Sequence, residues 1–413
     1  MFLTDEEKSM LDGNRGYPLQ KSMQILVTLG ESFGAERMLE INNVHMPGAS
    51  IVVAGEAGTK FVESMYDKGG KFCAFTTTNP GAIDVEKWEE LGIDEGDAVV
   101  QKRLTKAYEK MGAVTCGTCT PYFLGNIPRK GEHVAWGESS AIAFVNSVLG
   151  ARTNREGGPS ALAAALTGRV PAYGLHLDEN RSGKMHIKVD TTMNGVTDYG
   201  TLGYYVGSRV KQDIPVFEGI PTNVSNDELK GLGAALASSG AVALFHVIGV
   251  TPEAASIKDA FGGNQPEYVL NFGVKEKEST EALLNKAKSG DVDWVVLGCP
   301  HSSIQEFRDI AKALSGKKIK EGVAFWVCSS QPIKSLAERM GYVKVITDAG
   351  GVIVCDTCPV LLPARELAKK MNYKSVTTNS AKMANLTRGQ FGLLARYGQI
   401  EKVIEAAVKG IWR

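Results

Sequence analysis

The stretch Trp294-Val295-Val296-Leu297-Gly298-Cys299-Pro300-His301 sets the fold class. An unbroken apolar run this short reads as a strand buried on both faces, and the glycine then turns the chain into a loop carrying a thiol, a proline and an imidazole. Similar apolar runs surround it at residues 241–250, 268–272, 323–327 and 343–346. Between them Ile304, Phe307, Ala311 and Leu314 recur at helical spacing, as do Ile333, Leu336 and Met340. Strands alternating with amphipathic helices predict an α/β fold of parallel sheets covered by helices. Ligands of such sheets bind beyond the carboxyl ends of the strands, where Cys299 and Cys328 both fall. Cys299 opens a polar loop and reads as functional; Cys328 reads as a small core residue.

The chain has seven cysteines, two pairs of which form C-x-x-C: Cys116 with Cys119, and Cys355 with Cys358. Thiolates gathered from distant segments suit a soft metal centre, because sulfur donates strongly to iron or zinc. A four-cysteine zinc module draws its pairs from one compact segment, whereas most of the chain separates these two. A thioredoxin-like dithiol opens a helix, whereas Cys119 is followed by Thr120-Pro121-Tyr122 and Cys358 by Pro359. A cluster held by one cysteine from each of three separated loops fits better.

At 413 residues the chain is too long for one core. Its 46 basic and 46 acidic residues cancel, so no electrostatic footprint for nucleic acid or an anionic membrane is visible, and the expected partner is small. The first ten residues lack the charged and apolar regions of a secretion signal, and the longest apolar run falls far short of a bilayer span. The expected location is cytoplasmic, where paired thiols stay reduced.

Two capping boxes, Thr4-x-x-Glu7 and Ser225-x-x-Glu228, mark helix starts. With Pro215 and Pro221 nearby, the second predicts a boundary. The expected organisation is a glycine-rich α/β region over 1–215 with the first cluster cysteine, a parallel-sheet domain over 216–375 with two more, and a C-terminal segment, 376–413, packing back on the core. Polar loops at 76–81 and 154–160 read as site-building elements.

His176 adjoins a dense polar run, Asp178-Glu179-Asn180-Arg181, and is a candidate site residue. His301 is placed to orient a ligand or substrate from behind Cys299. Glu138 precedes an apolar helix and suits its N-terminus. Gly231-Leu232-Gly233 follows helix formers instead of a strand and lacks a third glycine, so no dinucleotide fingerprint is assigned. Neither a phosphate loop nor a G-x-S-x-G elbow is present.

Cys119-Thr120-Pro121-Tyr122, the stretch from Gly131 through Trp136-Gly137-Glu138-Ser139-Ser140, the loop Asn154-Arg155-Glu156-Gly157-Gly158-Pro159-Ser160 and Gly174-Leu175-His176-Leu177-Asp178 resemble the aconitase X family. Gly298-Cys299-Pro300-His301, Asp356-Thr357-Cys358-Pro359 and Asn379-Ser380-Ala381-Lys382 extend the resemblance nearly end to end. It implies aconitase-like catalytic domains without the swivelling small domain. It also implies a 4Fe-4S cluster with one open iron, held by Cys119, Cys299 and Cys358.

The activity implied is a hydro-lyase reaction: dehydration of (R)-5-phosphomevalonate in a modified archaeal mevalonate pathway, or of cis-3-hydroxy-L-proline in bacteria. The separate large chain and the stretch 75–84 favour the phosphorylated hydroxy acid. Glu138, His176 and His301 are the implied catalytic groups; Gly48, Ala49, Ser50, Asn79, Pro80, Ser380 and Lys382 are the implied substrate contacts. Exposed N–H groups in such small-residue loops suit an anion. A serine base arrives on a small partner subunit in this reading. A cluster-carrying RNA-binding regulator is the alternative from another class, and the balanced charge weighs against it.

Overall fold

The computed structural model describes residues 1–287 and 289–413. Three sheets, all parallel within themselves, form its frame. The largest has five strands in the spatial order Val352–Cys355, Ala324–Ser329, Trp294–Leu297, Ser375–Thr378, Leu394–Tyr397. The second has four, in the order His246–Val247, Pro215–Glu218, Met185–Val189, Tyr268–Phe272. The third has three, with Asn43–Met46 between Phe75–Thr78 and Ala135–Trp136.

Strand alternation explains why the run at 294–297 is wholly apolar. Val295 and Leu297 enter one core with Phe325, Val327, Ile353 and Cys355. Trp294 and Val296 enter another with Trp326, Cys328 and Val354. Both faces of the central strand are therefore dry, and every position must be hydrophobic. Cys328 sits fully buried in this second core, among its apolar neighbours.

Helix starts follow their local signals. Thr4 and Ser225 both make full capping boxes, as does Ser303 at the head of Ile304–Leu314. The glycine pair at 231 and 233 lies inside the helix Asn226–Gly240.

Two readings of the sequence are corrected. Residues 343–346 are not a strand; they belong to the helix Tyr342–Asp348, which restarts after Gly341 at φ 77°, and only Ile346 among them is fully buried. The strand expected there comes later, at Val352–Cys355, because a four-residue apolar run has no period of its own to separate strand from helix. Within 241–250 only His246–Val247 is a strand. The boundaries at 215 and 375 also fall inside sheets: Met185–Val189 pairs with Pro215–Glu218, and Ser375–Thr378 lies within the five-stranded sheet.

Candidate active site

The carboxyl ends of the three-stranded and five-stranded sheets face each other. From the first come the loop after Met46, Asn79 after Phe75–Thr78, and Glu138 after Ala135–Trp136. From the second come loop 298–303, the Cys355–Cys358 turn and Asn379-Ser380. Gly81 N–H donates to the Asp356 carbonyl at 2.7 Å, Thr357 Oγ1 donates back to the Gly81 carbonyl at 2.8 Å, and Ser50 Oγ reaches the Leu361 carbonyl at 2.8 Å. Strand ends that meet across a seam place loops from remote parts of the chain around one point.

Cys119, Cys299 and Cys358 are all buried there. Burial first of all raises their thiol pKa values; the Glu138 charge adds to it at Cys119 and Cys299, and the neighbouring Cys299 adds to it at Cys358, which is pushed up to about 12. Cys358 feels the charge of Cys299, Cys119 feels that of Cys358, and Lys382 acts on all three in the opposite sense. The other member of each pair points elsewhere. Cys116 donates to the Thr78 carbonyl at 3.5 Å, and Cys355 enters the core on the far face of the five-stranded sheet.

His301 binds the three loops together. Its N–H donates to Cys119 Sγ at 3.3 Å; its Nδ1 meets Thr118 Oγ1 and its Nε2 meets the Thr357 carbonyl, both at 3.1 Å. Burial holds its imidazole neutral, with a pKa lowered to about 4. Behind it the buried Lys230 donates to the His301 carbonyl at 3.3 Å, bonds Glu306, and pairs with Asp227 at 2.9 Å. Two glycines allow the close approach. At Gly298 (φ 85°) an added Cβ would lie 2.1 Å from the Cys328 carbonyl oxygen, and at Gly117 (φ 51°) 2.8 Å from Asp356 Cα.

Glu138 caps the helix Ser139–Ser147 from a left-handed backbone conformation, φ 75°. Its carboxylate receives Ser140 Oγ at 2.5 Å and Ala141 N–H at 2.8 Å, and pairs with Lys382 at 2.5 Å. Burial alone would raise its pKa; the Lys382 charge and these donors outweigh burial and hold it at about 2. Lys382 also donates to Ser139 and Ser140. Ser380 bonds the Cys299 carbonyl and caps its own helix through Met383 N–H.

Beside the thiol loops lies a cavity of about 290 Å³, lined in part by Ala49, Asn79, Gln101, Gly117, Gln331 and Asp356. Asp356 takes φ 60°, and burial together with Asp84 and Glu86 raises its carboxyl to about 7. Gly48 (φ 67°) packs against Gly158, and Ser50 spends its hydroxyl on Leu361 and Val52, so of that loop Ala49 reaches the cavity.

The structure thus brings together Cys119, Cys299, Cys358, Glu138, His301, Ser380 and Lys382, with Ala49 and Asn79 on the adjoining cavity. His176 stands apart. It pairs ring to ring with His133 at 3.1 Å, and the charges that lower its pKa to about 3 are those of His133, Arg181 and Arg152, after burial. The sequence reading gave no role to Lys230, Thr118, Thr357, Asp356 or His45. The shared Thr-Cys ending of Cys116-Gly117-Thr118-Cys119 and Cys355-Asp356-Thr357-Cys358 was a signal for two of them.

Among the described residues no three His, Cys, Asp or Glu side chains converge closely enough for a single metal ion. Cluster ligands attach to different irons and are spaced more widely, so three buried thiols from three loops, with the nearby Glu138 carboxylate engaged by Lys382, fit an iron-sulfur cluster better than a lone cation.

Family models for the first, second and third domains of aconitase X match residues 1–179, 183–283 and 292–409. The chain belongs to the aconitase X family. It is 42% identical to the phosphomevalonate dehydratase large subunit of Methanocaldococcus jannaschii, over 98% of this chain and 100% of that one. Against the phosphomevalonate dehydratase large subunit of Methanothermobacter thermautotrophicus it is 43% identical, over 96% of each. The cis-3-hydroxy-L-proline dehydratase of Pseudomonas aeruginosa is 35% identical over 98% of this chain, which spans 69% of that protein. The crystal structure of Thermococcus kodakaraensis aconitase X in its holo-form superimposes with a TM-score of 0.89 at 37% identity, covering 98% of this chain and all of the other. This aconitase X chain has no helix, among the described residues, long and apolar enough to cross a membrane.

Proposed function

We propose that this chain is the large, cluster-bearing subunit of a phosphomevalonate dehydratase. The observation that carries the reading is the degree of identity to the phosphomevalonate enzymes. The phosphomevalonate dehydratase large subunit of Methanocaldococcus jannaschii is 42% identical over its whole length, against 35% for the hydroxyproline dehydratase of Pseudomonas aeruginosa. The relatives are named large subunits, and on this reading a small partner subunit completes the active site.

The reaction removes a tertiary hydroxyl β to a carboxylate and a proton α to it. The C–O bond breaks, the hydroxyl departs as water after taking a proton, the C–H electrons form the double bond, and no electrons are transferred to or from the substrate. A cluster on Cys119, Cys299 and Cys358 supplies Lewis acidity at an open iron toward the hydroxyl and carboxylate.

The rest is work for this chain's residues. Asn79 and the backbone of the Gly48-Ala49 turn bind an anionic part of the substrate. Glu138, ionised and fully hydrogen-bonded, holds Lys382 against the thiols instead of moving a proton. Neutral His301 holds the loops in register. His176 takes no part. The base that takes the α proton comes from the partner subunit, as in the serine of aconitase relatives.

The test is an anaerobic assay of the chain, reconstituted with iron and sulfide and mixed with its small partner, on (R)-5-phosphomevalonate and cis-3-hydroxy-L-proline in parallel. Turnover of the phosphate ester alone supports the proposal. Turnover of the imino acid alone moves the protein to hydroxyproline breakdown.

A further inference from the structure

Two polar atoms at the carboxyl end of the three-stranded sheet are buried without a hydrogen-bond partner: Nε2 of His45 and Oδ1 of Asn79. Buried orphans of this kind are uncommon and call for an explanation. They belong to neighbouring strands, since His45 pairs with Thr77 in register and Asn79 follows Thr78. The Asn79 side chain also lies close enough to the imidazole to act on its titration.

A chain of hydrogen bonds behind His45 has a polarity set at its far end. The Trp136 indole can only donate, and it gives Nε1–H to Asn43 Oδ1 at 2.7 Å. Asn43 must then present its NH2 to Asn126 Oδ1, at 2.5 Å, and Asn126 its NH2 to Thr77 Oγ1, at 2.8 Å. Thr77 retains one proton to give. His45 Nδ1 is 3.0 Å away and the Val44 carbonyl 3.4 Å, so the imidazole nitrogen is the nearer acceptor for it. A neutral imidazole that accepts at Nδ1 carries its proton on Nε2.

We infer that His45 is a positioning residue: its Nε2–H faces Asn79 Oδ1 and turns the Asn79 NH2 toward the cavity, where it donates to an anionic oxygen of the substrate. The relay from Trp136 thus decides which end of one amide the substrate meets. A flipped Asn79 would present a carbonyl to an anion and repel it. This rests on the reading of the cavity as the substrate site.

The experiment has two independent parts. The first is nitrogen NMR of the intact heteromer labelled with [15N]histidine, which reports the tautomer of His45 without any substitution in the assayed protein; a His45→Gln sample assigns the signal. The Nε2–H form is expected, and the Nδ1–H form overturns the proposal.

The second is steady-state kinetics on 5-phosphomevalonate. His45→Phe and Asn79→Ala are each expected to raise KM by roughly ten- to a hundred-fold, the worth of one hydrogen bond to a charged group, with cluster absorbance and kcat little changed. His45→Gln, which keeps a donor, is expected to recover much of the loss, and the double variant to be no worse than either single one. An unchanged KM in His45→Phe beside a raised KM in Asn79→Ala sinks the positioning role and leaves the cavity as the substrate site. An unchanged KM in both sinks the cavity reading itself. If His45→Phe does not fold, the tautomer and His45→Gln decide.

Discussion

The His301 N–H donates to Cys119 Sγ at 3.3 Å across 182 positions of the chain. The same residue clamps Thr118 and Thr357 with its ring, so one imidazole spans both C-x-x-C turns. His301→Ala removes the ring contacts and leaves a cavity in the seam. It is expected to cost roughly 2–4 kcal/mol, combining about 1 kcal/mol per neutral hydrogen bond with lost packing. Bound iron per chain after reconstitution should fall with it, whereas His301→Gln should retain more. Full iron content in the alanine variant would show that the loops hold themselves.

Cys119→Ser, Cys299→Ser and Cys358→Ser should each abolish cluster absorbance and turnover. Cys116→Ser and Cys355→Ser should keep both, because Cys116 points at the Thr78 carbonyl and Cys355 into the opposite core. Cys328→Ser should keep the cluster at some cost in stability, since it puts a hydroxyl into an apolar core. A full cluster in any of the first three defeats the ligand assignment.

Glu138→Gln strands the buried Lys382 ammonium. Breaking a buried ion pair from one side costs on the order of 3–5 kcal/mol, read as a lower urea midpoint. Glu138→Gln combined with Lys382→Met removes the uncompensated charge and should regain most of that stability without regaining turnover. If the double variant is as unstable as the single one, charge burial is not what Glu138 offsets.

At Gly298 any side chain meets the Cys328 carbonyl. The left-handed backbone adds strain for every other residue. Gly298→Ala is expected to destabilise by several kcal/mol and to displace Cys299, lowering iron content even where the protein folds. A variant with the parent's melting temperature would mean that loop 298–303 shifts freely.

His176 is held neutral with a pKa near 3, first by burial and then by His133 and the two arginines. Its folded pKa lies below the unfolded value of about 6.5, so between these limits the unfolded chain binds the extra proton. The stabilisation is fully present above about pH 6.5 and falls with pH by about 1.4 kcal/mol per unit down to the folded pKa. Asp356, raised to about 7, works in the opposite sense, losing stability as pH rises toward 7. His176→Gln should flatten the stability-against-pH curve by one proton through the acid window, with turnover at neutral pH retained. A fall in kcat would return His176 to the chemistry.

The parallel α/β class was legible because both faces of Trp294–Leu297 are buried, and burial on two faces writes itself into sequence as an unbroken apolar run. Helix starts were legible for the same local reason: Thr4 and Ser225 need only a partner three residues away. The cysteine loops could be picked out by their motifs, and loop residues such as Cys299 by their place after a strand. Residues 343–346 could not be read, since four residues carry no period.

The sequence by itself determined the buried strand at Trp294–Leu297, the capped helix starts and which loops carry thiols, because those depend on neighbours within a turn or two. Only the tertiary structure decided that Cys116 turns to the Thr78 carbonyl and Cys355 into the opposite core, and that His176 pairs with His133. It alone placed His45 and Lys230 behind the site. These outcomes depend on strand order and on the facing of two sheets, and contacts between residues far apart in the chain leave no local periodicity to read.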